Sequence, residues 1–309
     1  MAVLGSYGIV LSVPDVAPGV RFYCDAGLEA AVEGAVARFS CPGQNHASIT
    51  LVGGAPRKSI HHLILRADAG EFDTLRRKVP ASGGELIQAP VGFENDGLWL
   101  KDPHGLCIHL VDAPADPLLQ DASKRFEINE PGRVVRQNRS AMLAKRLLVD
   151  VKPLRLGHVM LFTPDTPRSV AFFSEVLGMG LADRAQDIVG FMCARRESDH
   201  HVVAFAKSPG IGFHHASFQV RTPDDVGRAG RRLIQLGNKG NWGFGRHTIG
   251  SNYFHYIQDP WGSWFEYYAD MDYISDYGQW TPTNYGMEDS LENWGPDLPQ
   301  DFVHNYEAA

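Results

Sequence analysis

Residues 157–165 read GHVMLFTPD, and residues 7–15 read YGIVLSVPD. Both are short apolar strands that run into a Pro-Asp turn, written twice in one chain. Further on, Ile60-His61-His62-Leu63 is echoed by Phe213-His214-His215-Ala216, and Lys101-Asp102-Pro103-His104-Gly105 by Gln258-Asp259-Pro260-Trp261-Gly262. Three markers in the same order make chance a poor account, so the chain reads as a duplication. Each half divides again into two similar units, each a strand, a helix and several short strands.

The helices of the second half carry their own punctuation. Thr166 is placed to cap one, with Pro167 at its first position and Gly178 past its end. Thr222, Pro223 and Gly237 do the same for the next, whose apolar stripe is Val226, Ala229, Leu233 and Leu236. The strands YFHYIQ and SWFEYY follow, bounded by Gly and Pro. Residues 114–153 are rich in charge and repeat nothing, so they are expected to connect an N-terminal domain, 1–113, to a C-terminal one, 154–271. A tail, 272–309, lies outside the repeat.

Bulk composition excludes several function classes. The 309 residues are enough for two domains, and 44 % hydrophobic with 21 % charged is a globular composition. The net charge of −7 is spread without any Lys/Arg block, so neither nucleic acid nor an anionic membrane is an expected partner. A small molecule is. The N-terminus lacks a basic n-region and no run of 18 apolar residues occurs, which points to the cytoplasm. Cys24, Cys41, Cys107 and Cys193 show no ligand spacing and read as reduced, mostly buried thiols.

The chemistry concentrates in residues 247–266, HTIGSNYFHYIQDPWGSWFE, together with His158 and His215. Two imidazoles and one carboxylate occupy one face of an iron(II) ion and leave the opposite positions open. Glu266 sits in the aromatic strand Trp264-Phe265-Glu266-Tyr267-Tyr268, where an unpaired carboxylate is costly and a cation removes the cost. His158 is likewise one polar residue in the apolar run Val159-Met160-Leu161-Phe162. In the pairs His200-His201 and His214-His215, strand alternation sends neighbouring side chains to opposite faces, so one of each pair is expected in the site.

In the order His247, Tyr256, Asp259-Pro260-Trp261-Gly262, Glu266, the second half resembles the type I extradiol ring-cleavage dioxygenases of the vicinal oxygen chelate superfamily. The one departure is His255, where that family usually has an apolar residue. The resemblance implies an α+β fold of four βαβββ modules in two tandem domains, each an incomplete mixed β-barrel. It implies Fe(2+), with Mn(2+) as the alternative, held by His158, His215 and Glu266. His201 is similar to the family's acid-base histidine, with an imidazole pKa near neutrality, and His247 and Tyr256 to the residues that hydrogen-bond the bound catecholate. His200 and His214 are then structural.

Catechol and dioxygen are the implied small-molecule partners, and a homo-oligomer is the family's habit. In the first half the ligand positions become Gly8, His62 and His109, so that half is expected to keep the fold without the metal. Ile249-Gly250 after His247-Thr248 are uncharged, and a mono-substituted catechol is the broader substrate expectation. A metal-dependent isomerase or lyase of the glyoxalase type, or a protein that only binds an aromatic compound, are the rival readings.

Overall fold

The computed structural model describes residues 2–114, 150–195 and 197–308. The proposed connection, 114–153, falls almost entirely outside the described residues. The first half comprises β1 (Val3–Ser12), α1 (Ala17–Asp25), β2 (Glu29–Glu33), β3 (Val36–Ser40) and β4 (Ile49–Val52). Then come β5 (Ser59–Ala67), α2 (Phe72–Ala81), β6 (Glu85–Leu86), β7 (Leu98–Lys101) and β8 (Cys107–Asp112).

The second half repeats the order with β9 (Arg155–Thr163), α3 (Thr166–Glu175), β10 (Gly180–Ala185), β11 (Val189–Cys193), a short β12 (Ser198–Asp199) and β13 (Val203–Lys207). Its last unit is β14 (Gly212–Gln219), α4 (Pro223–Gln235), β15 (Asn241–His247), β16 (Tyr253–Gln258) and β17 (Trp264–Ala269).

Sheet order shows the duplication directly. The first sheet runs β2-β3-β4-β1-β5-β8-β7-β6, and the core of the second runs β10-β11-β13-β9-β14-β17-β16-β15. Each is mixed: β1 and β5 pair antiparallel at its centre, as do β9 and β14, with parallel neighbours outside them. Neither closes on itself, so each is an incomplete barrel of two βαβββ modules.

The tail is not an appendage. It supplies β18 (Tyr273–Ile274), which pairs with β12, while β19 (Asn284–Tyr285) and β20 (Glu292–Trp294) extend the second sheet beyond β10 and β15. Short added strands at both ends cover backbone groups that an open sheet leaves unpaired.

The helix punctuation holds with two corrections. Thr222 caps α4 by accepting the Asp225 N–H, and Gly178 and Gly237 take φ of 77° and 91° just past their helices. The cap of α3, however, is Asp165, whose carboxylate accepts from Arg168 N at 3.0 Å; Thr166 is the first helical residue and bonds Ile188 O instead. Leu236 is 51 % exposed, outside the buried stripe of Val226, Ala229, Gly230 and Leu233, because α4 has ended by then. Of the four free cysteines Cys41 and Cys193 are buried, Cys107 is partly buried and Cys24 is exposed.

Each half lends a helix to the other. Phe22 and Tyr23 of α1 pack on Phe265 of β17, both at ring distances of 6.1 Å, and Tyr267 OH donates to Ala26 O. In return Phe172 of α3 lies so close to Gly84 that a β-carbon there would meet its ring at 3.0 Å. One apolar core therefore runs through both halves. Among the described residues no helix is long and apolar enough to cross a membrane.

Candidate metal centre

Strand register builds the site. His158 on β9 stands opposite Ser217 on β14, Ser217 opposite Glu266 on β17, and Glu266 opposite Tyr256 on β16. The four form one row across four adjacent strands. Ser217 is the small member of that row, which lets His158 and Glu266 converge over it. His215 lies on the same strand as Ser217, and His158, His215 and Glu266 are 2, 3 and 0 % exposed.

The adjacent histidines are not divided as alternation predicts. On β14 the pairing with β9 jumps between Phe213 and His215, which leaves His214 as the extra residue of a bulge. His214 Nδ1 then comes within 2.7 Å of His215 Nδ1. The same jump occurs on β5, between Ile60 and His62, with His61 and His62 also 2.7 Å apart. The bulge belongs to the duplicated unit. His214 is thus more than a packing residue: His215 can donate its Nδ1–H to it and keep Nε2 free, as a metal ligand needs.

The three candidate ligand atoms meet tightly. Nε2 of His158 and Nε2 of His215 are 3.2 Å apart, and Oε2 of Glu266 is 3.1 Å from the first and 3.5 Å from the second. Donors on one face of an octahedron, about 2.1 Å from their ion, lie about 3 Å apart. Oε2 is buried with no hydrogen-bond partner, while Oε1 accepts from Asn252 Nδ2 at 3.1 Å. An orphaned buried carboxylate oxygen aimed at two imidazole nitrogens fits a divalent cation. Among the described residues these form the one set of three such side chains.

Protonation is set for ligation. Burial pushes the Glu266 carboxyl up, but the imidazoles of His158, His247 and His215 gathered around it outweigh that, leaving it well below the usual carboxylate range. Burial, then His214, holds His215 well below the imidazole range, so the ring is neutral. A charged carboxylate and neutral imidazoles are the forms that bind metal.

His201, His247 and Tyr256 surround this set. The His201 ring lies 4.2 Å from that of His158 and 4.9 Å from Phe191. Burial, together with His158 and His200, lowers its pKa well below 6.5, so the expected titration near neutrality gives way to a neutral ring. At the other end of the row His247 Nδ1 donates to Leu291 O at 2.6 Å, which leaves Nε2 to accept from Tyr256 OH at 3.0 Å. Burial first, and then Glu266, raises the Tyr256 hydroxyl well above 10, so it keeps its proton.

Sequence reasoning missed Asn252, Asp183, Leu291 and Phe302. Asn252 precedes β16 directly and its polarity was visible, but its partner was not. Phe302 comes from the tail and rests against Tyr256 and His214, at 5.0 and 4.9 Å between rings.

In the first half Gly8 cannot host a side chain, since a β-carbon there would lie 2.8 Å from Ala47 O. His62 is 0 % exposed, its Nε2 lacks a partner, and burial lowers its pKa to about 2. Trp99 stacks on His109 at 4.0 Å and meets His62 at 4.8 Å, so indole lies against both imidazoles.

A duplicated βαβββ fold with two imidazoles and a carboxylate in one half defines a class of small-molecule metalloproteins. Residues 155–267 match the family model described as the glyoxalase/bleomycin resistance protein/dioxygenase superfamily. The chain is 36 % identical over 298 residues to metapyrocatechase 2 of Cupriavidus necator, covering 96 % of this chain and 91 % of that one. It is 30 % identical over 152 residues to the 2,2',3-trihydroxybiphenyl dioxygenase of Sphingomonas paucimobilis, 46 % of this chain and 49 % of that one. Among solved structures it resembles the Mn(II)-bound glyoxalase from Novosphingobium aromaticivorans, with TM-score 0.78 and 25 % identity, covering 99 % of this chain and 96 % of that one. The chain belongs to the extradiol ring-cleaving dioxygenases of this superfamily.

Proposed function

We propose that this chain opens a substituted catechol beside its two hydroxyls, inserting both atoms of dioxygen, with iron(II) held by His158, His215 and Glu266. The observation that carries the reading is the buried trio of ligand atoms, with His201 against one end of its row and the His247–Tyr256 pair against the other. A ferrous ion held by His158, His215 and Glu266 would supply Lewis acidity that favours the ionised form of a catechol.

The chain's own part is orientation and proton control. Tyr256 gives its proton to the hydrogen bond with His247 Nε2, so its oxygen is free to accept from a substrate hydroxyl. The catechol proton then has a path through Tyr256 to His247. His201, a neutral imidazole beside His158, takes up and returns one proton as the ring opens. Asn252 fixes Oε1 of Glu266 and so keeps Oε2 turned to the metal.

The test is anaerobic reconstitution with Fe(II) or Mn(II), then addition of catechol or 3-methylcatechol with air. Oxygen uptake equal to the yellow ring-fission product formed is the expected result, with iron the more active metal. The likeness to an Mn(II)-bound glyoxalase favours a second reading, a metal-dependent isomerase that needs no dioxygen. Absence of oxygen uptake with every catechol would replace the first reading by the second.

A further inference from the structure

One side of the His201 ring leads away from the metal-ligand candidates through two more buried groups. Its Nδ1 lies 3.0 Å from Nδ1 of His200. Nε2 of His200 lies 2.9 Å from Oδ2 of Asp183, and Oδ1 of Asp183 accepts the Thr283 N–H at 2.6 Å. His200 is 0 % and Asp183 3 % exposed, so bulk water does not compete for these atoms. The backbone N–H of His200 donates to Asp272 O at 2.8 Å. Its ring meets Trp280 at 5.5 Å, whose indole N–H donates to Ala182 O.

The proton positions follow from one end of this chain of atoms. A backbone N–H only donates, and an ionised carboxylate accepts at both oxygens. Asp183 Oδ2 therefore takes its hydrogen bond from His200 Nε2–H. A neutral imidazole protonated at Nε2 has its lone pair at Nδ1, so that atom accepts from His201 Nδ1–H. His201 is left with Nε2 unprotonated.

We propose that Asp183 and His200 are positioning residues that fix His201 as the Nδ1–H tautomer, so that its Nε2 meets the substrates as a proton acceptor. The catalytic meaning rests on the extradiol reading above, whereas the tautomer is a property of the chain alone.

Asp183→Asn is the discriminating variant. The Thr283 N–H still requires an acceptor, which places the amide oxygen there and turns the NH₂ toward His200 Nε2. His200 then carries its proton on Nδ1, donates to His201 Nδ1, and moves the His201 proton to Nε2. Nitrogen-15 NMR of the metal-free full chain, labelled at histidine, reads both states, with the His201 signals identified by their loss in His201→Asn. Nδ1–H in the wild type and Nε2–H in Asp183→Asn are expected. A wild-type His201 protonated at Nε2 overturns the proposal without any variant, as does an unchanged tautomer in Asp183→Asn.

In iron-loaded enzyme, kcat per bound iron should fall about 10- to 100-fold in Asp183→Asn with KM little changed. Adding that change to His201→Asn should cost nothing further, because both act through one group. Fully additive losses would give Asp183 and His200 a merely structural part and overturn the relay. A wild-type chain that takes up no oxygen refutes the extradiol reading instead, while the NMR result still decides the tautomer.

Discussion

Glu266 has no exposed surface, one oxygen bonded to Asn252 and the other turned to two imidazole nitrogens. A neutral amide in its place binds a hard cation more weakly and presents an NH₂ where a lone pair is wanted. Glu266→Gln should therefore lose metal and ring-cleaving activity together, by tenfold or more, in metal analysis and oxygen uptake on one preparation; full iron with full turnover would refute the assignment. His255 poses a different question, because both of its ring nitrogens are buried without a partner and its ring presses on Gly230 of α4. Burial lowers its pKa from 6.5 to about 4. The unfolded chain thus takes up a proton near pH 6.5 that the folded chain refuses until about pH 4, so stability falls as pH drops through that window. At about 1.4 kcal/mol per unit the shift amounts to roughly 3 kcal/mol. His255→Leu should flatten the loss of stability between pH 6.5 and 4 in urea unfolding, and should cost nothing at pH 7, since an unsatisfied polar group is removed. An unchanged pH slope would show that His255 is not the group that titrates.

Among the elements, the tail shows how far a sequence pattern reaches and where it stops. The strands YFHYIQ and SWFEYY, the Thr222 cap and the markers of the repeat were legible, because each is written in residues close in sequence. The bulge at His214 was not, because an extra residue is defined only against the partner strand β9. Nor was the part played by residues 298–308, whose partners lie far away in sequence. Glu307 accepts from Ile60 N at 2.6 Å and Phe213 N at 3.1 Å, and it pairs with Lys58, which also donates to Ser263 Oγ. Both side chains of the pair are about 5 % exposed or less. One carboxylate thereby ties β5 of the first half to β14 of the second and holds Phe302 near Tyr256. Breaking such a pair from one side strands a buried charge, at about 3–5 kcal/mol. Glu307→Ala should lower Tm and weaken catechol binding, whereas Lys58→Met with Glu307→Met should recover much of the stability. A single variant as stable as the wild type would show that the tail is not held by this carboxylate.

At the scale of the whole molecule, the two halves share one sheet order and one bulge, yet diverge where a ligand is needed. The second half sets His158, His215 and Glu266 around one point. At the matching places the first half has Gly8, which faces Ala47 O too closely for any side chain, and His62 and His109, which lie against Trp99. The divergence was legible as residue types, since no carboxylate follows the first pair of histidines at the place of Glu266. The indole against both imidazoles was not, because Trp99 reaches them from β7. With one side chain missing and no carboxylate to offset the charge of an ion, the first half has neither the donors nor the electrostatics for a stable ferrous site. The chain should therefore carry one iron, counted by elemental analysis against protein concentration. His62→Ala or His109→Ala should leave that count and the turnover per iron unchanged, while opening a cavity that lowers Tm. Two irons per chain, the second lost in either variant, would show that both halves bind metal and that the first is more than a packing partner for the second.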